Sequence, residues 1–282
     1  LYAAITAVVR PGDEVIVFEP AFDSYAPAIR LNGGRPVYLS MKYPEYQIDW
    51  EEVKNAIGEK TRLIILNSPH NPPGTVWSKT DVEALKQTVA QRDLFLLSDE
   101  VYEHIIFDGL RHESLLRDPM LYARSFVISS FGKTYHTTGW KIGYCVAPPA
   151  LTTEFRRIHQ YLTFASNTPI QWAYADIMDD RPLYLELSNF YQQKRDLFLR
   201  LLEPSRFKPL PCLGTYFQMM EYSAISDAED IRFAREMTIK HKVAAIPPSV
   251  FYSTGEDNRV LRFCFAKKDE TLEQAAEILC KI

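Results

Sequence analysis

The chain has 282 residues, 46% of them hydrophobic and 24% charged, with a formal net charge of −4. That length supports one large or two medium domains with a substantial core, and the acidic balance argues against a nucleic-acid-binding protein. No apolar run reaches the length of a membrane span, the four cysteines form no CxxC pair, and the six histidines show neither HxxxH nor HExxH spacing.

Leu1–Val9 reads as the middle of a buried helix that ends at Arg10-Pro11-Gly12. No cap and no signal-type segment precede it, so the chain is expected to be a fragment that begins just inside that helix. β-rich runs then follow at residues 14–20, 35–40, 62–69, 94–100, 125–131 and 143–149. Helical periodicity lies between them at Trp50–Ile57 and Thr80–Ala90, the latter introduced by Ser78 and Asp81 as a capping pair. Near-continuous apolar strands separated by helices predict an α/β fold with a mostly parallel sheet covered on both faces. From about Arg181 the pattern changes to a long amphipathic segment, Leu183–Leu202. Strands are expected after it at 215–222, 243–247 and 260–266, with helices at Asp227–Lys242 and Asp269–Lys281. The expected division is a large domain over 1–182 and a smaller α+β domain over 183–282. Scattered thiols predict a reducing compartment, the cytoplasm.

In parallel sheets functional groups gather where strands end. Four predicted strands end in capable residues: Phe22 and Asp23, Asn67 to Asn71, Asp99, and Ser130 to Lys133. Lys133 invites three chemistries. Gly132-Lys133-Thr134 matches the end of a P-loop, but the glycine needed five residues earlier is Val127. Ser130 and Lys133 match an SxxK acyl-transfer pair, whose companion elements are approximated only by Ser98-Asp99-Glu100. The third is a Schiff-base lysine for pyridoxal phosphate, which needs a carboxylate beside the ring nitrogen, an aromatic platform and a phosphate anchor. Asp99, Phe22 and Ser130 with Lys141 can supply these, although each has an ordinary structural reading when taken alone. Tyr102 alone reads as a packing tyrosine, and Asn71 as turn chemistry.

Taken in order, EPAFDSY, NSPHNPPG, SDEVYEH, SSFGKTYHTTGWKIGY, HQYLTFASNTP and GTYF resemble the class I (fold type I) pyridoxal-phosphate aminotransferases. The similarity is greatest to the methionine and kynurenine (glutamine transaminase K-like) branch, and it runs the length of the chain. The resemblance implies Lys133 as Schiff-base lysine and proton shuttle, and Asp99 on the pyridine nitrogen. It implies Tyr102 and Asn71 on the phenolic oxygen, Phe22 against the ring, and Ser130 and Lys141 on the phosphate. Arg262 would grip the substrate carboxylate, as a planar two-donor fork can, with Asn67 nearby. Lys141 stands where the aspartate-specific branch carries arginine, which points away from aspartate as substrate. The implied reaction is transamination of an uncharged amino acid, methionine or aromatic, with a 2-oxo acid in a homodimer whose site is completed partly by the segment expected upstream of Leu1. Two other readings share these residues: a lyase cleaving carbon–sulfur bonds, and a silent cofactor-binding regulator.

Overall fold

The six apolar runs of the first half form six strands: β1 (Glu14–Glu19), β2 (Arg35–Ser40), β3 (Thr61–Asn67), β4 (Phe95–Asp99), β5 (Ser125–Ser130) and β6 (Gly143–Val146). A computed structural model describes residues Leu1–Ile282. Its large sheet is ordered β2-β1-β3-β4-β5-β6. The first five strands run parallel. The sixth returns antiparallel on β5, because the chain between Ser130 and Gly143 forms only two short helical turns, and a parallel return needs a crossover that spans the sheet.

Helices cover this sheet. They are α1 (Tyr2–Val8), α2 (Tyr25–Leu31), α3 (Trp50–Ala56), α4 (Lys79–Val89), α5 (Pro119–Tyr122), α6 (Phe131–Thr134), α7 (Pro149–Leu162) and α8 (Thr168–Ile177). Helix α4 opens with a capping box in which Ser78 Oγ accepts from Asp81 N at 3.2 Å and Asp81 Oδ2 accepts from Ser78 N at 2.8 Å. Burial along β3 and β4 is almost unbroken, as expected of strands with helices on both faces. Helices α2, α7 and α8 lie outside the segments whose periodicity predicts a helix.

The rest of the chain comprises α9 (Pro182–Leu185), α10 (Leu187–Leu202), β7 (Lys208–Pro209), β8 (Phe217–Glu221), α11 (Asp230–Glu236), β9 (Val260–Cys264) and α12 (Asp269–Leu279). Strands β7, β8 and β9 form a small antiparallel sheet. Helix α10 buries Leu187, Tyr191, Phe198 and Leu202 along one stripe. The strand expected at 243–247 is reduced to a single bridge between Ile246 and Arg262. Pro247 and Pro248 follow directly and have no N–H to extend a ladder. The helix expected over Asp227–Lys242 begins at Asp230 and widens to a π turn over Met237–His241. The two sheets share apolar interior: Met219 of β8 and Val260 of β9 pack in one cluster with Ile16, Ile64 and Leu96 of the large sheet.

Candidate active site

Strand β1 pairs with β2 on one side and β3 on the other, so the connection from β1 runs one way to β2 and the next runs back past β1 to β3. At such a switch point the loops after the strand ends diverge and leave a crevice. Asn67 ends β3, Asp99 ends β4 opposite it in register, Ser130 ends β5, and Phe22 follows β1 by three residues. A cavity of about 530 Å³ opens there. Eight of the nine residues singled out from sequence line it: Phe22, Asn67, Asn71, Asp99, Tyr102, Ser130, Lys133 and Arg262. Lys141 is the exception. It closes the turn Thr138–Trp140 in the left-handed region at φ 56°, shortly before the edge strand β6, and it is exposed and not among the residues that line the cavity.

Asp99 is buried. Its Oδ2 accepts a 2.7 Å hydrogen bond from Tyr25 Oη, and its Oδ1 a long one of 3.4 Å from Val101 N. Burial pushes the Asp99 carboxyl above its ordinary range, and the Tyr25 hydroxyl opposes the shift. Neither hydrogen-bonding partner is cationic. Asn67 ties the two strand ends together by donating from Nδ2 to Asp99 O at 2.8 Å, while its Oδ1 accepts from Asn71 N at 2.9 Å. Asn71 Oδ1 in turn accepts from Arg262 Nη1 at 2.6 Å. The guanidinium lies over the rings of Phe217 at 4.0 Å and Phe251 at 5.0 Å, and its Nε is buried with no acceptor. Burial lowers the pKa of Arg262, which nonetheless stays charged at any working pH.

Lys133 lies on α6, one turn beyond Ser130, and its Nζ donates to Tyr216 Oη at 2.6 Å. Tyr102 stands edge-on to Tyr216 with ring centroids 5.2 Å apart, and burial raises its pKa well above the ordinary phenol value. Tyr25 and Tyr216 were not assigned from sequence. Both sit inside quoted motifs, EPAFDSY and GTYF, but nothing local distinguishes a tyrosine that reaches a neighbour from one that packs. His70, in NSPHNPPG, is structural: its buried Nε2 donates to Pro20 O at 2.8 Å, and burial pushes its pKa down to about 4, so the ring is neutral.

A buried acid with only neutral hydrogen-bonding partners, a primary amine and a guanidinium with a vacant N–H thus share one crevice at strand ends. The profile of the family described as aminotransferase class I and II matches residues 1–279. The chain belongs to this family of aminotransferases. Among its relatives, the methionine aminotransferase of Escherichia coli (strain K12) is 52% identical over 280 residues, which is 99% of this chain and 72% of that protein. A kynurenine–oxoglutarate transaminase of Dictyostelium discoideum is 35% identical, covering 100% of this aminotransferase and 74% of its own length. A solved Escherichia coli structure, described as identifying a methionine aminotransferase function, superposes with a TM-score of 0.97 at 51% identity, covering 100% of this chain and 75% of that one. The α/β architecture with its mostly parallel sheet is the aminotransferase fold.

Proposed function

We propose that this aminotransferase uses pyridoxal phosphate to move the amino group of an uncharged amino acid with a medium or large apolar side chain, methionine first and aromatic residues next, to a 2-oxo acid. The single observation that carries the reading is the pairing of unmet groups in one cavity. Asp99 is a buried carboxylate with only neutral hydrogen-bonding partners, which suits a protonated ring nitrogen. Arg262 has a buried N–H without an acceptor, which suits a carboxylate. The donor set fits the cofactor.

When bound, pyridoxal phosphate supplies an aldehyde for amines and a ring that draws electrons from the α-carbon. Asp99 would hold the proton on the ring nitrogen, Tyr102 and Asn71 would bond the phenolic oxygen, Phe22 would supply the aromatic platform, and Ser130 would donate its hydroxyl to the phosphate. Lys133 Nζ would be the amine that holds the aldehyde, and it would serve as the base for the proton on the substrate α-carbon. Arg262 holds the substrate carboxylate, oriented by Asn71 and clamped between two phenyl rings, and Asn67 fixes Asn71. Beyond Arg262 the wall is Phe217, Ile246, Val250 and Phe251. No lysine or arginine other than Lys133 and Arg262 lines the cavity, so this chain offers an acidic side chain no second cation. The identity to the Escherichia coli methionine aminotransferase supports the same substrate class.

Association of two copies is part of the reading. Tyr161 at the end of α7, Phe164 in the segment that follows and Trp172 on α8 are 87%, 85% and 68% exposed, more apolar surface than a monomer leaves bare without a use. No helix is long and apolar enough to cross a membrane.

The test is a donor panel with product analysis. Purified protein loaded with pyridoxal phosphate should convert methionine to its 2-oxo acid with stoichiometric amination of the acceptor. Preference for aspartate or glutamate over methionine would overturn the substrate class. Release of thiol and ammonia in place of amine transfer would make the protein a carbon–sulfur lyase.

A further inference from the structure

We propose that Tyr216 is a positioning residue for the reaction: its hydroxyl receives the amine of Lys133 whenever that amine is not holding the cofactor. The inference rests on the reading of Lys133 given above. The 2.6 Å bond from Lys133 Nζ to Tyr216 Oη is the one hydrogen bond that this amine makes. The same nitrogen lies 5.2 Å from the Tyr216 ring centroid and 5.6 Å from that of Tyr102, so the two rings form a corner around it, edge to face. Lys133 lines the cavity and Tyr216 does not, so the amine reaches from the cavity wall to a hydroxyl outside the lining.

The backbone that presents Tyr216 is built for placement. Thr215 is fully buried and held at φ 68°, a left-handed conformation that a β-branched residue rarely adopts. Glycine would make the same turn without strain. Thr215 contributes its hydroxyl instead, Oγ1 accepting from Phe217 N at 3.2 Å. The preceding segment is locked to the loops that carry Asn71 and Tyr102: Leu213 N donates to Gly74 O at 3.0 Å, and Thr215 N to Ile105 O at 3.0 Å. Side chains are excluded at this crossing, since a Cβ on Gly74 would lie 2.8 Å from Gly214 O and one on Gly214 2.8 Å from Ile105 O. A segment from the second sheet is therefore pinned to the strand ends of the first, and its next residue meets the lysine.

The need for such a partner follows from lysine's flexible four-carbon stem. When the substrate amine takes its place, Lys133 must remain within reach of the α-carbon proton. A misplacement of about 1 Å costs up to about a hundredfold in rate. Tyr216 neither gains nor loses a covalent bond; it confines the amine that carries the proton.

The experiment compares wild type, Tyr216→Phe and Lys133→Ala as full chains. Tyr216→Phe should melt close to wild type, lose roughly ten- to a hundredfold in kcat, and keep its KM for methionine within about twofold. In cofactor-free protein, the rate at which added pyridoxal phosphate becomes fixed by borohydride should fall as well. A fixation rate and kcat both at wild-type values would overturn the role, as would a KM that rises while kcat holds. Should Tyr216→Phe not fold, Thr215→Gly carries the test, because it keeps the Tyr216 hydroxyl and, by removing the Thr215 Oγ1 bond to Phe217 N, frees the backbone that presents it. A partial loss of kcat at constant KM would then support the proposal, and wild-type kinetics would overturn it. Cofactor fixed on Lys133→Ala would remove Lys133 itself. Loss of fixation there, beside a wild-type-like Tyr216→Phe, removes only Tyr216.

Discussion

Tyr25 Oη lies 2.7 Å from Asp99 Oδ2, joining the first turn of α2 to the end of β4 inside the core. The hydroxyl is what makes a buried carboxylate tolerable there, by holding down a pKa that burial raises. A carboxyl raised in the folded state binds protons more readily folded than unfolded, so its contribution favours folding at low pH and is lost as pH rises through the folded value. In cofactor-free protein, Asp99→Asn should therefore resist urea better than wild type at pH 7. The gain should vanish as pH falls toward about 4, the ordinary carboxylate range. Equal midpoints for both proteins at pH 7 would mean that Asp99 is not strained by burial.

The same residue is costly to lose in catalysis. Asp99→Ala, loaded with cofactor, should lose two to four orders of magnitude in turnover, roughly 3–5 kcal/mol, as expected of an interaction made mainly in the transition state. Steady-state kinetics within about threefold of wild type would remove Asp99 from the site.

His70 gives the pH profile its other limb. Its pKa is lowered to about 4 from an ordinary 6.5, so folded protein binds fewer protons at this ring than unfolded protein. The stability it contributes is complete above pH 6.5 and is lost as pH falls toward 4, about 3 kcal/mol in all. His70→Gln keeps an N–H for Pro20 O and cannot titrate. Urea midpoints measured across that window should fall less steeply for the variant, and parallel slopes would contradict the assignment.

Arg262→Lys should raise KM for every amino acid by about ten- to a hundredfold with little selectivity, since a point charge replaces a planar fork held between Phe217 and Phe251. A defect confined to one class of side chain would place Arg262 in the side-chain pocket instead.

Much of this arrangement was legible in the sequence because parallel strands print themselves as apolar runs with polar ends. Asn67, Asp99 and Ser130 could be placed at strand ends before their register was known. What escaped did so for physical reasons. Helix α2 carries Pro27, which blunts helical propensity near its start, and α7 and α8 expose Tyr161 and Trp172, which blurs an inward-facing period. The run at 243–247 looked like a strand until two prolines cut its ladder. Tyr25 and Tyr216 act through contacts 74 and 83 residues away along the chain, and no local pattern records such distances. Lys141 carries a charge suited to a phosphate, while its left-handed turn beside an edge strand sets its position.

Under the proposed function Lys133 holds the cofactor, and one measurement tests that directly. Protein incubated with pyridoxal phosphate is reduced with borohydride, digested, and the modified peptide sequenced by mass spectrometry. A single stable pyridoxyl group is expected on Lys133, in the peptide containing SSFGKTY, and none on Lys133→Ala. A modification found on another lysine, or retained in full by Lys133→Ala, would contradict it.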